Sequence, residues 1–254
     1  MSSNFREVLK AGTVLLGTFI KTPTVHATEI LGGAGFEFIV VDEEHAPIDR
    51  AATDNMMLAC KASGIVGLVR VCEPTPAQIL SVLDSGAAGV LVPHVASVER
   101  AKAIASAGRY RGGSRGFSNS PRAGGYGVRS LVDHAAASDA SVCMIAMIED
   151  AEALEVIDDI LEVDGIHAIF VGRGDLTVAL GASRPADAVV QEAVDRILEA
   201  ARRHEVPVMM MVGSLAEAKE FRAKGVNAFI VSSDQGLMRQ AAQKTRTEFD
   251  TLKS

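Results

Sequence analysis

Two acids at the ends of apolar runs are the first candidates for chemistry. Glu149 follows the run 142–148, and Asp175 closes Gly172-Arg173-Gly174-Asp175 directly after the run 168–171. Two carboxylates plus waters are a typical protein share for Mg²⁺, Mn²⁺ or Co²⁺, with positions left open for substrate oxygens. Each acid also has a plainer explanation. Glu149 fits the first turn of a helix, where the dipole favours negative charge, and Asp175 fits a helix N-cap. The glycines around Asp175 would let backbone N–H groups approach an anion at a helix start.

Arg70 ends the otherwise apolar run 67–71. A buried arginine is costly unless paired. A salt bridge to Asp42 or Glu44 would account for it, and so would a bidentate clamp on a substrate carboxylate or enolate. His45 follows the three acids Asp42, Glu43 and Glu44. An adjacent carboxylate can orient an imidazole and make it a base near neutral pH, whereas a solvated loop histidine is the alternative. His94 also follows a strand-length run but has no acidic neighbour in sequence, so it ranks below His45. His26, His134, His167 and His204 fall on helices or connections. A Schiff-base mechanism would need a desolvated lysine. None of the eight lysines lies inside an apolar run, and only Lys21 lies near the end of one, in a Thr-Pro turn. That disfavours covalent lysine chemistry and leaves a metal to stabilise a carbanion.

These residues need a frame that brings distant strand ends together. Eight short runs rich in Val and Ile occupy 14–19, 38–41, 67–71, 89–92, 142–148, 168–171, 206–212 and 228–231. Such runs, with little polar alternation, read as buried parallel strands. Stretches with helical spacing lie between them at 51–62, 76–85, 98–106, 151–161, 189–203, 215–223 and 237–252. Thr75, Ser97, Asp150 and Ser214 stand where N-caps belong, and Gly64, Gly86 and Gly225 where helices should stop. Eight strand–helix units in one chain of this length predict a single (β/α)₈ TIM barrel over residues 1–254, with an N-terminal helix. A doubly wound sheet is the alternative, but no glycine-rich loop follows the first run. Active sites of such barrels sit where strands end, which is where the candidates fall. Residues 108–137 break the rhythm, with Arg109, Arg111, Arg115, Arg122 and Arg129 among many glycines. A connection this long predicts a lid or an interface, or else a loose surface excursion.

Composition agrees with an ordinary globular enzyme. The chain has 254 residues, 48% hydrophobic and 22% charged, with a net charge of −7. That balance argues against a nucleic-acid surface. Three cysteines without CxxC spacing fit a reducing compartment. No signal-like segment and no run long enough for a membrane span is seen, so the expected location is the cytoplasm.

Taken in order, Val41-Asp42-Glu43-Glu44-His45-Ala46-Pro47, Arg70, Glu149 and Phe170-Val171-Gly172-Arg173-Gly174-Asp175-Leu176 resemble the HpcH/HpaI family of class II pyruvate aldolases. The type member cleaves 4-hydroxy-2-oxoheptane-1,7-dioate. The resemblance covers nearly the whole chain. It implies Glu149 and Asp175 as ligands of a divalent cation, and Arg70 as the neutraliser of the enolate oxygen. Backbone N–H groups of Gly174 and Asp175 would bind the pyruvate carboxylate. His45, paired with Asp42, would be the acid/base acting through a water. It further implies a homohexamer, a trimer of dimers exchanging the last helix. Two positions depart from the pattern. Met147 replaces a common Gln, and Gly172-Arg173-Gly174-Asp175 replaces a common Gly-Pro-Ala-Asp. The rival readings are a citrate-lyase-beta or malyl-CoA-lyase relative, which could use the loop arginines for a nucleotide, and a non-catalytic oxo-acid-binding barrel.

Overall fold

The computed structural model describes residues 4–253, and within them the elements run in chain order. They are α1 (Phe5–Lys10), β1 (Leu15–Ile20), α2 (Val25–Gly33), β2 (Phe38–Asp42), α3 (Arg50–Ser63), β3 (Val66–Arg70), α4 (Pro76–Asp84), β4 (Gly89–Val92) and α5 (Val98–Gly108). There follow α6 (Leu131–Ser141), β5 (Cys143–Ile148), α7 (Ile157–Leu161), β6 (Ala168–Val171), α8 (Arg173–Ala179), α9 (Ala188–Arg203), β7 (Val208–Val212), α10 (Leu215–Ala223), β8 (Ala228–Ser233) and α11 (Asp234–Asp250). The eight strands pair in sequence order, all parallel, and β1 closes on β8. This is the (β/α)₈ barrel expected from the runs.

Side-chain alternation along each strand makes two cores. Ile39, Val41, Val69, Ala146, Ile148, Ile169 and Val171 point outward and pack beneath the helices. Phe19, Phe38, Val40, Leu68, Leu91, Ile145, Met147, Phe170, Met209 and Ile230 point inward and fill the barrel. Gly17 leaves room for one of them, because a Cβ there would overlap the ring of Phe38. Below, α1 closes the floor: Phe5 lies 5.5 Å from the Phe38 ring, centroid to centroid, and the Asn227 amide donates to the Leu9 carbonyl at 2.7 Å.

The helices start much as the sequence suggests. Thr75, Ser97 and Ser214 accept the N–H of the residue three positions on. Asp150 does not. Its side chain makes no cap bond, and the segment after it begins as a 3₁₀ helix, Ala151–Val156. The stretch 108–137 is also less irregular than expected, since α6 and a 3₁₀ turn at Arg122–Gly124 occupy part of it. No helix among the described residues is long and apolar enough to cross a membrane.

Candidate active site at the barrel mouth

The inward alternation carries polar residues to the C-terminal mouth. In β2 the inward positions are Phe38, Val40 and then Asp42. In β3 Leu68 is followed by Arg70, and in β5 Ile145 and Met147 are followed by Glu149. Counting by two along a strand keeps one face, so these charged groups form the next layer above a packed apolar stack. Asp42 and Arg70 are direct register partners on neighbouring strands.

Both acids proposed as partners of Arg70 hold it. Its Nε and Nη2 donate to the two oxygens of Asp42 at 2.9 and 2.8 Å, and Nη1 lies 3.2 Å from Glu44. The guanidinium rests 4.8 Å from the Phe19 ring centroid. Burial pushes the Asp42 carboxyl up, but hydrogen bonds from Arg70, the His45 N–H and Lys21 outweigh it and hold the group below its usual range. The salt bridge is therefore present, with the fork geometry of a bidentate clamp. Glu43 turns away and accepts from Thr53 and Gln78, tying the loop to α3 and α4.

His45 meets Asp42 only through its backbone N–H, at 3.1 Å. Its imidazole is 56% exposed and lies 3.5 Å from Glu44. The carboxylate beside the ring is therefore Glu44, because Asp42 is buried behind Arg70.

Glu149 is 2% exposed and accepts the N–H of His94 at 2.9 Å. Burial raises its pKa, the carboxylates of Asp175 and Glu44 add to that, and the result is about 7 despite the opposing His94 contacts. A buried acid among acids is a place where a cation would relieve both desolvation and repulsion. Glu149 can lie there because residue 172 has no side chain, since a Cβ on Gly172 would stand 2.6 Å from Glu149 Oε2. Asp175 is exposed in the first turn of α8, and the space a Cβ of Gly174 would enter is open. No side chain caps α8. Arg173 points elsewhere, bonding Glu217 at 2.6 Å and the Met211 carbonyl at 2.8 Å. No group of three or more His, Cys, Asp or Glu with metal-holding geometry occurs among the described residues, so the acid pair would depend on waters or substrate to complete a shell. Met147 lies one layer below, 2% exposed within the barrel stack.

The mouth also gathers residues that sequence reasoning ranked low. His94 adopts φ 53°, a left-handed backbone costly for a non-glycine residue. The conformation is held by its N–H on Glu149 and by Nδ1 at 3.1 Å from Asp150. Asp150, expected as an N-cap, is thus a histidine partner. Desolvation lowers the His94 pKa, but Asp150, Glu149 and Glu44 raise it more. Lys21 lies 3.1 Å from Asp42 Oδ2. Alternation from Phe19 to Lys21 could have flagged it. The strand-end position of His94 is visible in sequence, but its acidic partners are not, since they lie 55 and 56 residues away.

The loop arginines lie elsewhere. Arg109, Arg115 and Arg122 pair with Asp164, Asp84 and Asp54. A hollow of about 480 Å³ lies beside Arg122 and Asp54, on the helical flank and not at the mouth.

Comparisons with known proteins identify the family of the whole barrel. The family model of the HpcH/HpaI aldolase/citrate lyase family matches residues 15–241. A 5-keto-4-deoxy-D-glucarate aldolase from Shigella dysenteriae is 34% identical over 97% of this chain and 96% of its own length. An HpcH/HpaI aldolase/citrate lyase family protein from Burkholderia cenocepacia superposes with a TM-score of 0.92 at 26% identity, covering 98% of this chain and 100% of the other. The citrate synthase SbnG superposes with a TM-score of 0.90 at 28% identity, covering 99% of each chain. With the family match running through all eight strands, the chain belongs to the HpcH/HpaI aldolase/citrate lyase family and is a carbon–carbon lyase.

Proposed function

We propose that the chain cleaves and forms 4-hydroxy-2-oxo acids, with pyruvate or a close analogue as one product and an aldehyde as the other. The observation that carries this reading is the buried Glu149 carboxylate, which feels the charges of Asp175 and Glu44, the latter also paired with Arg70. Glu149 and Asp175 would hold a divalent cation, Mg²⁺, Mn²⁺ or Co²⁺. That cation would supply Lewis-acid polarisation of the 2-oxo group and charge neutralisation.

The protein's own groups do the rest. The uncapped first turn of α8, at Gly174 and Asp175, would accept the oxo-acid carboxylate. His45, exposed at the rim, would take the C4 hydroxyl proton through a water. As the C4–O bond becomes a carbonyl, the C3–C4 electron pair moves into C2–C3. The negative charge then collects on the C2 oxygen, where Arg70 stabilises it. Protonation at C3 completes pyruvate, and the reverse sequence is aldol addition. The keto-deoxy sugar acid in the name of the Shigella relative supports an oxo acid bearing hydroxyls beyond C3.

The coenzyme A alternative needs a free basic groove. Arg109, Arg115 and Arg122 are each paired with an acid, which weighs against it. A homo-oligomer exchanging its last helix is also proposed, because α11 buries none of its residues in the single chain and leaves Met238 and Phe249 exposed. A monomeric mass in solution would overturn that part. Steady-state cleavage of a 4-hydroxy-2-oxo acid, before and after exhaustive chelation, tests the chemistry. Turnover should vanish with the metal and return on its addition, and undiminished turnover would sink the metal role.

A further inference from the structure

We infer that Lys21 is a positioning residue of the mouth: its ammonium offsets Asp42 so that the charge of Arg70 remains available to the enolate oxygen. The inference rests on the aldolase reading above.

Charge balance around Arg70 is the starting point. Two carboxylates, Asp42 and Glu44, hold this one guanidinium. One cation against two anions leaves excess negative charge beside the spot where an enolate would form. A guanidinium already neutralised by acids attracts a further anion weakly, because the field of a closed pair falls off as a dipole's does. Lys21 restores the balance. Its Nζ reaches Asp42 Oδ2 at 3.1 Å, on the oxygen that also accepts Arg70 Nη2. Asp42 Oδ1 is taken by Arg70 Nε and the His45 N–H. Asp42 is therefore a hub whose four donors come from β3, the loop after β2 and the loop after β1.

The placement of Lys21 is built, not incidental. It continues the inward alternation of Leu15, Gly17 and Phe19, so β1 delivers both the ring beneath Arg70 and the ammonium beyond Asp42. The backbone N–H groups of Lys21 and Thr22 both donate to the carboxylate of Asp234, at 2.9 and 3.1 Å. A solvated surface lysine needs no such clamp. The side chain is only 28% exposed, although lysine seldom gives up hydration without a paired anion.

The test compares two ligands that differ in charge at the C2 oxygen. Oxalate is a planar dianion resembling the pyruvate enolate, and pyruvate carries a neutral keto group. Calorimetric titration of both, with Mg²⁺ present, is made on the wild-type chain and on Lys21→Met, Lys21→Gln and Lys21→Arg, with thermal melting to confirm folding. Lys21→Met and Lys21→Gln should weaken oxalate about tenfold to a hundredfold while changing pyruvate less than about twofold, as expected for a charge acting on a developing oxyanion. Lys21→Arg should recover most of the loss. Equal losses for both ligands, or no loss, would overturn the proposal. Oxalate binding does not need turnover, so a wild-type chain that binds oxalate yet cleaves no 4-hydroxy-2-oxo acid would sink the aldolase reading alone. A cleaving wild type with unaltered oxalate preference in Lys21→Met would sink the Lys21 role alone. A wild-type chain with no affinity for oxalate would overturn both.

Discussion

At the floor of the barrel, Phe5 and Leu9 of α1 cover Phe38, and the polar link from Asn227 ends on a backbone carbonyl. At the mouth, the same strands end in Asp42, Arg70 and Glu149, all nearly or fully buried. The residues closing both ends of the stack are buried, yet those at the floor are mostly apolar and those at the mouth are charges that need several partners. The floor also holds a titratable group, His167, which accepts the Met144 N–H at 3.0 Å. Burial first, then the charges of Arg6 and Arg109, push its pKa down to about 4, so it stays neutral. Glu149 is pushed the opposite way in protonation preference, up to about 7, by burial first and then by the charges of Asp175 and Glu44. At the floor a neutral imidazole sits beside cations, whereas at the mouth a buried carboxylate sits beside other carboxylates.

Three changes would test that contrast. The largest effect is expected from Glu149→Gln. Removing the acid should cost at least about a thousandfold in cleavage rate, as loss of an electrostatic anchor does, while the metal-free chain melts no lower than wild type. A rate within tenfold of wild type, or a lower melting point, would contradict the separation of function from stability at this end. Phe38→Ala should do the reverse. It should cost about 3 to 5 kcal/mol of stability through the cavity it leaves, with turnover per folded molecule nearly unchanged, as denaturant titration beside active-site counting would show.

The smallest effect is in pH dependence, and its sign differs between the ends. The folded pKa of His167, about 4, lies below the unfolded 6.5, so its stabilisation is present above 6.5 and is lost as pH falls toward 4. The folded pKa of Glu149, about 7, lies above 4.5, so its contribution is present below 4.5 and is lost as pH rises through 7. Thermal melts of His167→Asn and Glu149→Gln against pH should each remove one flank of the wild-type curve. Saturating Mg²⁺ should flatten only the Glu149 flank. Identical pH profiles for the two variants would erase the distinction.

The strands were legible because burial on both faces leaves an apolar run with no competing explanation, and all eight appear within two residues of their expected starts and ends. Helices with thin apolar faces were not. α2 buries only Thr28 and Leu31, and α6 buries His134, Ala135 and Ser138, so neither shows the spacing that marks a helix in sequence. At the mouth, the strand-end positions of Asp42, Arg70 and Glu149 could be read from the sequence, but a helix-start acid or a structural salt bridge explained them equally well until the buried layer was seen. The partnership of His45 with Glu44, in place of Asp42, depends on which carboxylate the arginine claims, and that is a matter of depth invisible in a linear string. His94 enters through its backbone conformation and through Asp150, a contact only the closed barrel creates.

The inward alternation along β5 also limits how this scaffold can vary. Inserting one residue within Cys143–Ile148 would hand the mouth an isoleucine and rotate the carboxylate into the helix layer, because a strand's faces exchange with every single step. An insertion of two would restore the facing and lift the acid by about 7 Å, clear of Gly172. Length changes compatible with the chemistry are therefore confined to segments such as residues 109–130 that lie outside the strands. Descendants of this chain can acquire new acceptor loops while the distance from barrel stack to carboxylate stays the same.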